Sequence, residues 1–327
     1  MEPRRRIETA AAQVITGRQL DRRQAGELAD FSGADLFDLF AAANRIREHF
    51  RGSVVDVCSI INAKSGACSE DCRYCAQSSH YGTEVQVYPL VDADSIQKAA
   101  ATAKGSGARR FCIVTSGRGI DDDDDLRRIA QGIEQVRSLG LSPCATLGTL
   151  HRDQLRYLKD AGLDRYHHNI ETSREYFPAI CTTHSFEERL ETVAAARSLG
   201  LSTCSGGILG LGESMQDRIS MAFTLRELEV DSVPLNFLMP IPGTPLGTAP
   251  PLPPLEGLHA IALFRFILPD KEIRICGGRG TGLGQLHPLI FQAGADGFMI
   301  GNYLTRTGLA PDDDLRMLRD LGLELKP

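Results

Sequence analysis

Cys68, Cys72 and Cys75 stand in the run Cys68-Ser-Glu-Asp-Cys72-Arg-Tyr-Cys75. The spacing CxxxCxxC supplies three thiolates within one short segment and no obvious fourth, so a metal centre held there keeps one coordination position open. A structural zinc site wants four protein ligands and usually shows two ligand pairs. A cubane iron-sulfur cluster on three cysteines instead leaves one iron free for a small molecule. Three further cysteines sit singly in β-branched or small-residue runs: Cys112 in Arg-Phe-Cys-Ile-Val, Cys144 in Ser-Pro-Cys-Ala-Thr, and Cys204 in Ser-Thr-Cys-Ser-Gly. Alone, each reads as a small core hydrophobe. Projecting inward from separate strands at similar depth, the three would make a second, buried metal site.

Such residues need a scaffold. Short β-branched runs alternate with helical patterns eight times. The candidate strands are Val54–Ser59, Arg110–Thr115, Ser142–Leu147, Arg165–Ile170, Ser202–Leu209, Ser232–Leu238, Glu272–Cys276 and Gly297–Ile300. Amphipathic stretches such as Ser95–Lys104, Leu126–Leu139, Gln154–Ala161, Phe186–Leu199, Gln216–Leu228 and Leu255–Ile267 lie between them as crossover helices. Eight alternations predict an α/β fold, a TIM-type (β/α)8 barrel, rather than an open sheet. Residues 1–50 read as an N-terminal helical extension and 51–327 as the barrel with its C-terminal segment, together a single domain over 1–327. Chemistry in such barrels collects at the C-terminal ends of the strands. The cysteine triplet follows the first strand and falls there.

Composition narrows the function further. The chain has 327 residues, 42% hydrophobic, with a formal net charge of -6. That is enough to bury one large core, and it offers no basic stripe for a polyanion, so a small-molecule substrate is expected and nucleic acid is not. No apolar run is long enough to span a bilayer, and Arg4-Arg5-Arg6 is followed by Ile7-Glu8-Thr9 rather than by a signal-peptide core, so no membrane association and a cytoplasmic location are expected. Nine cysteines, an odd number and mostly scattered on candidate strands, argue for reduced thiols rather than a disulfide framework.

The triplet spacing resembles that of the radical S-adenosylmethionine (SAM) enzymes. Several segments are similar, in order from about residue 50 onward, to the biotin synthase family within that superfamily. They are Cys58-Ser-Ile, Gly66-Ala-Cys68 through Ser78, Cys144-Ala-Thr-Leu-Gly-Thr-Leu150, His168-Asn169-Ile-Glu171-Thr-Ser, Cys204-Ser-Gly-Gly-Ile-Leu-Gly-Leu-Gly-Glu213, Gly243-Thr-Pro-Leu246 and Ile273-Arg274-Ile-Cys276-Gly-Gly-Arg279. The resemblance implies a 4Fe-4S cluster on Cys68, Cys72 and Cys75 that reductively cleaves SAM to a 5'-deoxyadenosyl radical. It implies an auxiliary cluster on Cys112, Cys144 and Cys204, with Arg274 as an unusual ligand of a 2Fe-2S unit, that donates sulfur as dethiobiotin becomes biotin. It places Tyr74 against the SAM adenine, Glu171 at the ribose hydroxyls and Arg189 at the SAM carboxylate, and sets Asn169 and Asn236 at the substrate ureido ring. Glu171 departs from the family's usual Asp by one methylene. A small electron-donor protein of flavodoxin or ferredoxin type and a homodimer are also implied.

Cys276 departs from the best-known members, which carry Ser or another small residue there. Arg274 and Cys276, two apart on the seventh candidate strand, share a face within about 7 Å. A thiolate is a better iron ligand than a protonated guanidinium. Cys276 is therefore read either as a fourth thiolate of a four-iron auxiliary cluster or as a small core residue beside a 2Fe-2S unit. Of the other features, Cys58 and Cys181 read as packing thiols and His167-His168 as polar packing in the barrel. The Asp121–Asp125 run reads as a solvated helix start, Pro250–Pro254 as a turn before a helix, and Gly277–Gly284 as a loop closing over SAM and substrate. Two other functions stay open. A radical SAM enzyme of the same branch with another substrate, such as a hydrogenase maturase, would lack the full Cys112, Cys144, Cys204 set together with Asn169 and Asn236. An iron-sulfur electron carrier or a zinc module would have no need of a substrate-sized barrel mouth.

Overall fold

The computed structural model describes residues 2–326. Its centre is an all-parallel sheet built from β1 (Val54–Lys64), β2 (Arg110–Thr115), β3 (Ser142–Thr146), β4 (Arg165–His167), β5 (Ser202–Cys204), β6 (Gly207–Leu209), β7 (Ser232–Phe237), β8 (Glu272–Ile275) and β9 (Gly297–Met299). β9 pairs back onto β1 through Asp56/Gly297 and Cys58/Met299, which closes the sheet into a barrel. The short β5 and β6 share one stave, both pairing β7, so the barrel has eight staves as the alternation predicts. A tenth strand, β10 (Glu324–Leu325), adds to the start of β1.

Local signals place the crossover helices. Helix Phe186–Ser198 starts at a Ser185/Glu188 capping box, and Met215–Glu227 at a Ser214/Asp217 box. The Asp run supplies the cap and first turn of helix Asp123–Ser138, as the sequence predicts. Three helices, α1 (Pro3–Ile15), α2 (Arg22–Ala29) and α3 (Asp35–Arg51), precede the barrel. They explain why helix Pro254–Ile267 is buried on every side from Gly257 onward: the barrel covers one side, and α2 and α3 cover the other. Among the described residues, no helix is long and apolar enough to cross a membrane.

Several predicted elements differ from those observed: the first strand runs on to Lys64 rather than stopping at Ser59, and three other differences bear on the site. The fourth strand ends at His167, not Ile170, because the N–H groups of Ile170 and Glu171 both turn onto the carbonyl of Gly206 and Glu171 takes a positive φ of 70°. Asn169 and Glu171 therefore stand on the outgoing loop rather than on the strand itself. The fifth predicted strand breaks at Ser205-Gly206, where a Cβ on Gly206 would lie 2.0 Å from the carbonyl oxygen of Pro234. The glycine-rich segment forms a short helix, Arg279–Leu283, rather than a loop. Its glycines serve close packing: Cβ atoms at Gly278 and Gly282 would meet Phe237 at 2.2 Å and 2.7 Å.

Candidate iron-sulfur and substrate site

The triplet occupies the loop leaving β1, at the C-terminal end of the barrel. Backbone bonds fold that loop on itself. Cys68 donates to the carbonyl of Gln77 and accepts from Ser79, and Cys75 N–H bonds the carbonyl of Cys72. Cys72 is buried, while Cys68 and Cys75 are half-buried. Such bonding orients three thiols without any help from one another, as a preformed ligand set requires.

Against this loop lie the residues that the resemblance assigns to SAM. Arg189, in the first turn of its helix, is buried rather than solvent-facing. Its Nη1 donates to the carbonyl of Asn169 at 2.8 Å and stands 3.6 Å from Glu171. Burial pushes the Glu171 carboxyl upward, against the opposing pull of Arg189. Tyr74 lines the same cavity as Glu171. Cys181, read from the sequence as a packing thiol, belongs to this region: its Sγ is 3.9 Å from Cys72 Sγ and 3.3 Å from His184 Nδ1. His184 in turn pairs with Glu70 and accepts from Arg189 Nε at 2.9 Å.

Deeper in the barrel, strand register gathers the scattered cysteines. Cys112 on β2 is the direct partner of Cys144 on β3, and Cys204 on β5 is the partner of His167 on β4. All three are buried and line one cavity of about 310 Å³, which Cys75, Tyr74, Asn169, Glu171 and Asn236 line as well. That volume suits a small-molecule site. Burial pushes the Cys204 thiol up to about 11.

The floor of this cavity holds more sulfur than the sequence reading placed there. Cys58 and Cys276 pack together with Met299, so Cys58 is a cavity residue and not a remote packing thiol. A hydrogen bond from Cys276 and the nearby Arg274 hold Cys58 down to about 6. Cys276 lies one residue beyond β8, yet its N–H continues the ladder to Leu235. Period-two alternation along β1 was the signal that could have found Cys58, because it shares the inward set with Ile60. His167 also lines the cavity; burial pushes its imidazole down to about 4, so it is neutral near pH 7.

Arg274 is buried, with Nη2 bonded to Asp56 at 3.2 Å and to Glu272 at 2.9 Å and Nε to Ser232 at 3.2 Å. Among the described residues its Nη1 is sealed from solvent and has no partner. An orphaned buried guanidinium N–H is costly unless an acceptor meets it. The Arg274 side chain is part of the lining of a cavity walled by thiols, a setting that fits a sulfide-bearing group. The donor chemistry fits too, since clustered soft thiolates favour iron-sulfur centres over hard cations.

A TIM-type barrel with a CxxxCxxC loop at the mouth of its first strand defines a radical SAM enzyme. Residues 63–225 match the Radical SAM superfamily, and residues 234–324 match the Biotin and Thiamin Synthesis associated domain. In solved structures the fold is shared by methylornithine synthase (PylB), with TM-score 0.85 at 20% identity over 97% of both chains. It is also shared by the FeFe-hydrogenase maturase HydG from Carboxydothermus hydrogenoformans, with TM-score 0.81 at 17% identity, covering 99% of this chain and 80% of that one. Curated relatives are much nearer. Biotin synthase of Trichlorobacter lovleyi is 52% identical over 318 residues, covering 97% of this chain and 96% of that protein. Biotin synthase of Geobacter sulfurreducens is 50% identical over 320 residues, covering 98% and 97%. The chain belongs to the biotin synthase family.

Proposed function

We propose that this enzyme inserts sulfur into dethiobiotin to form biotin. The observation that carries the reading is one cavity lined by Cys75 of the triplet loop, by Cys112, Cys144 and Cys204, and by the amides of Asn169 and Asn236. Cys68, Cys72 and Cys75 hold a 4Fe-4S cluster at the mouth, and Cys112, Cys144 and Cys204 hold an auxiliary cluster below. When bound, these groups and SAM supply hydrogen-atom abstraction and sulfur, chemistry that no side chain here offers. The chain's own residues bind and orient. Arg189 presents a fork to the SAM carboxylate, Glu171 meets the ribose hydroxyls, and Tyr74 packs on the adenine. Asn169 and Asn236 take the ureido ring, and SAM and substrate together would fill the cavity and exclude water. Anaerobic turnover with SAM, a reductant and dethiobiotin, read by mass spectrometry, tests the assignment: biotin and methionine are the expected products, and SAM cleavage without biotin would move the enzyme to another substrate. The same reading takes the chain as one domain, homodimeric and cytoplasmic, reduced by a flavodoxin- or ferredoxin-type donor.

Asn236 gives a direct test of the substrate. Its Oδ1 accepts from Gly277 N–H at 2.8 Å, and its Nδ2 donates to Gly207 at 3.2 Å, so the amide is held rigid with one N–H left for a ligand. Asn236→Ala is expected to weaken dethiobiotin binding by about 1–3 kcal/mol while SAM affinity holds. Equal dethiobiotin affinity in both proteins, measured by equilibrium binding, removes Asn236 from the site.

Cys276 bears on the auxiliary cluster itself. It joins Cys112, Cys144 and Cys204 around a four-iron cluster, with Arg274 donating an N–H to the sulfides, and its place in the same cavity supports this. In a Cys68/Cys72/Cys75 triple-Ala background only the auxiliary site remains to be counted. Four irons by chemical analysis and Mössbauer spectroscopy are expected there, falling in a further Cys276→Ser variant. Two irons, unchanged by Cys276→Ser, would instead leave a 2Fe-2S cluster with Arg274 bound.

A further inference from the structure

The hydrogen bonds around Asn169 determine which of its atoms face a ligand. A backbone N–H can only donate, and Gly206 N lies 3.1 Å from one terminal atom of the Asn169 amide, so that atom is the oxygen. His167 Nε2 lies 2.9 Å from the same oxygen and must therefore carry the imidazole proton. Two consequences follow from the tautomer. The Asn169 oxygen has both lone pairs engaged, and its Nδ2 spends one N–H on Glu171 at 3.4 Å, which leaves one N–H for a ligand. His167 Nδ1 holds a free lone pair. Among the described residues it has no partner, and it is not one of the sealed, unsatisfied buried atoms, so it stays open to the cavity that His167 lines.

Asn236 is locked in the same sense, since its oxygen also receives a backbone N–H, from Gly277, at 2.8 Å. Each asparagine thus offers an N–H, which suits a carbonyl. A cyclic urea carries one carbonyl and two ring N–H groups, so a closed site must also supply two acceptors or leave a buried donor unpaired. Asn236 Oδ1 retains one lone pair. His167 Nδ1 is the second acceptor, and it stands at the level of Cys204, at the border between the amides and the auxiliary thiols.

We infer that His167 is a substrate-binding residue: its Nδ1 accepts one ring N–H of the ureido group, while its Nε2–H holds Asn169 as a donor toward the ureido carbonyl. The inference rests on the proposed reading of the substrate as dethiobiotin and assigns His167 a role beyond barrel packing. It also predicts handedness in recognition, because only one of the two ring nitrogens meets the imidazole.

Two dethiobiotin analogues test it, each with one ring N–H replaced by oxygen. Their binding to SAM-loaded holoenzyme is compared with that of dethiobiotin in the unaltered enzyme, in His167→Phe and in His167→Gln. The Gln variant keeps an N–H near the Nε2 position and lacks an acceptor at Nδ1, so it separates the contact with substrate from the support of Asn169. The unaltered enzyme is expected to bind each analogue about 10- to 100-fold more weakly than dethiobiotin. Both variants are expected to lose discrimination against one analogue and keep it against the other, with SAM affinity and cluster absorption unchanged. Full discrimination against both analogues in His167→Phe and His167→Gln would overturn the inference. So would a nitrogen hyperfine coupling on the auxiliary cluster that disappears in His167→Phe, because Nδ1 would then be bound to iron. Failure of the unaltered enzyme to bind dethiobiotin at all would instead overturn the substrate reading beneath it.

Discussion

Replacing Cys72 by Ala is expected to reduce SAM cleavage to background, and Cys68→Ala and Cys75→Ala are expected to do the same. In the proposed reading each thiol supplies one of three anchors for a cluster whose fourth iron must stay free, so the loss of any one would remove the geometry that presents that iron to SAM. The loop itself should survive, because it is held by backbone bonds among Cys68, Gln77, Ser79 and Cys75 rather than by the thiols. Loss of cleavage would then reflect lost ligation and not a collapsed fold. The measurement is methionine released anaerobically in the presence of a strong reductant. Methionine formation at the unaltered rate by any of the three variants would sink the assignment of this loop to the SAM cluster.

Cys144→Ala and Cys204→Ala are expected to do the opposite: retain SAM cleavage and make no biotin. Both residues are buried on the barrel wall, on different strands from the triplet loop. Cys144 sits beside Cys112 and Cys204 beside His167, so each substitution opens a small gap in an already hollow region and leaves the strand register intact. A separation of the two products, methionine without biotin, is the outcome that two clusters with separate tasks require. Normal biotin yield from either variant would show that the sulfur comes from elsewhere.

The first expectation was reachable from residue types and spacing and the second from the family resemblance, whereas the neighbours of the sites were reachable from neither. The distinction is visible at Cys181 and Cys58. Both are single cysteines in apolar runs, for which core packing is the ordinary reading. Cys181 meets Cys72 only because the segment after β4 folds back along the cysteine loop, where Asp71 accepts from Thr182 and Thr183 backbone N–H groups at 2.8 Å and 3.2 Å. Cys58 on β1 meets Cys276, one residue beyond β8, only because β9 pairs with both strands and closes the barrel. His167 looked like half of a polar pair, and its role emerges only with the backbone N–H of Gly206, thirty-nine residues later, which fixes the Asn169 amide and hence the imidazole proton.

What the amino-acid sequence determined by itself is therefore what short-range geometry can carry. CxxxCxxC places three thiols within one loop whatever surrounds it, eight alternations of strand and helix pattern lead to a closed barrel, and period-two alternation leaves Cys112, Cys144 and Cys204 able to share an inward face. What only the tertiary structure decided is which distant residues share a depth and a direction. That depends on inter-strand register, on where each strand ends, and on the pairing of buried polar groups that cannot be left unsatisfied. The strand ending at His167, the break at Gly206 and the orphaned Nη1 of Arg274 all arise from that balance, because each buried N–H must find an acceptor supplied by another part of the chain or by a bound group.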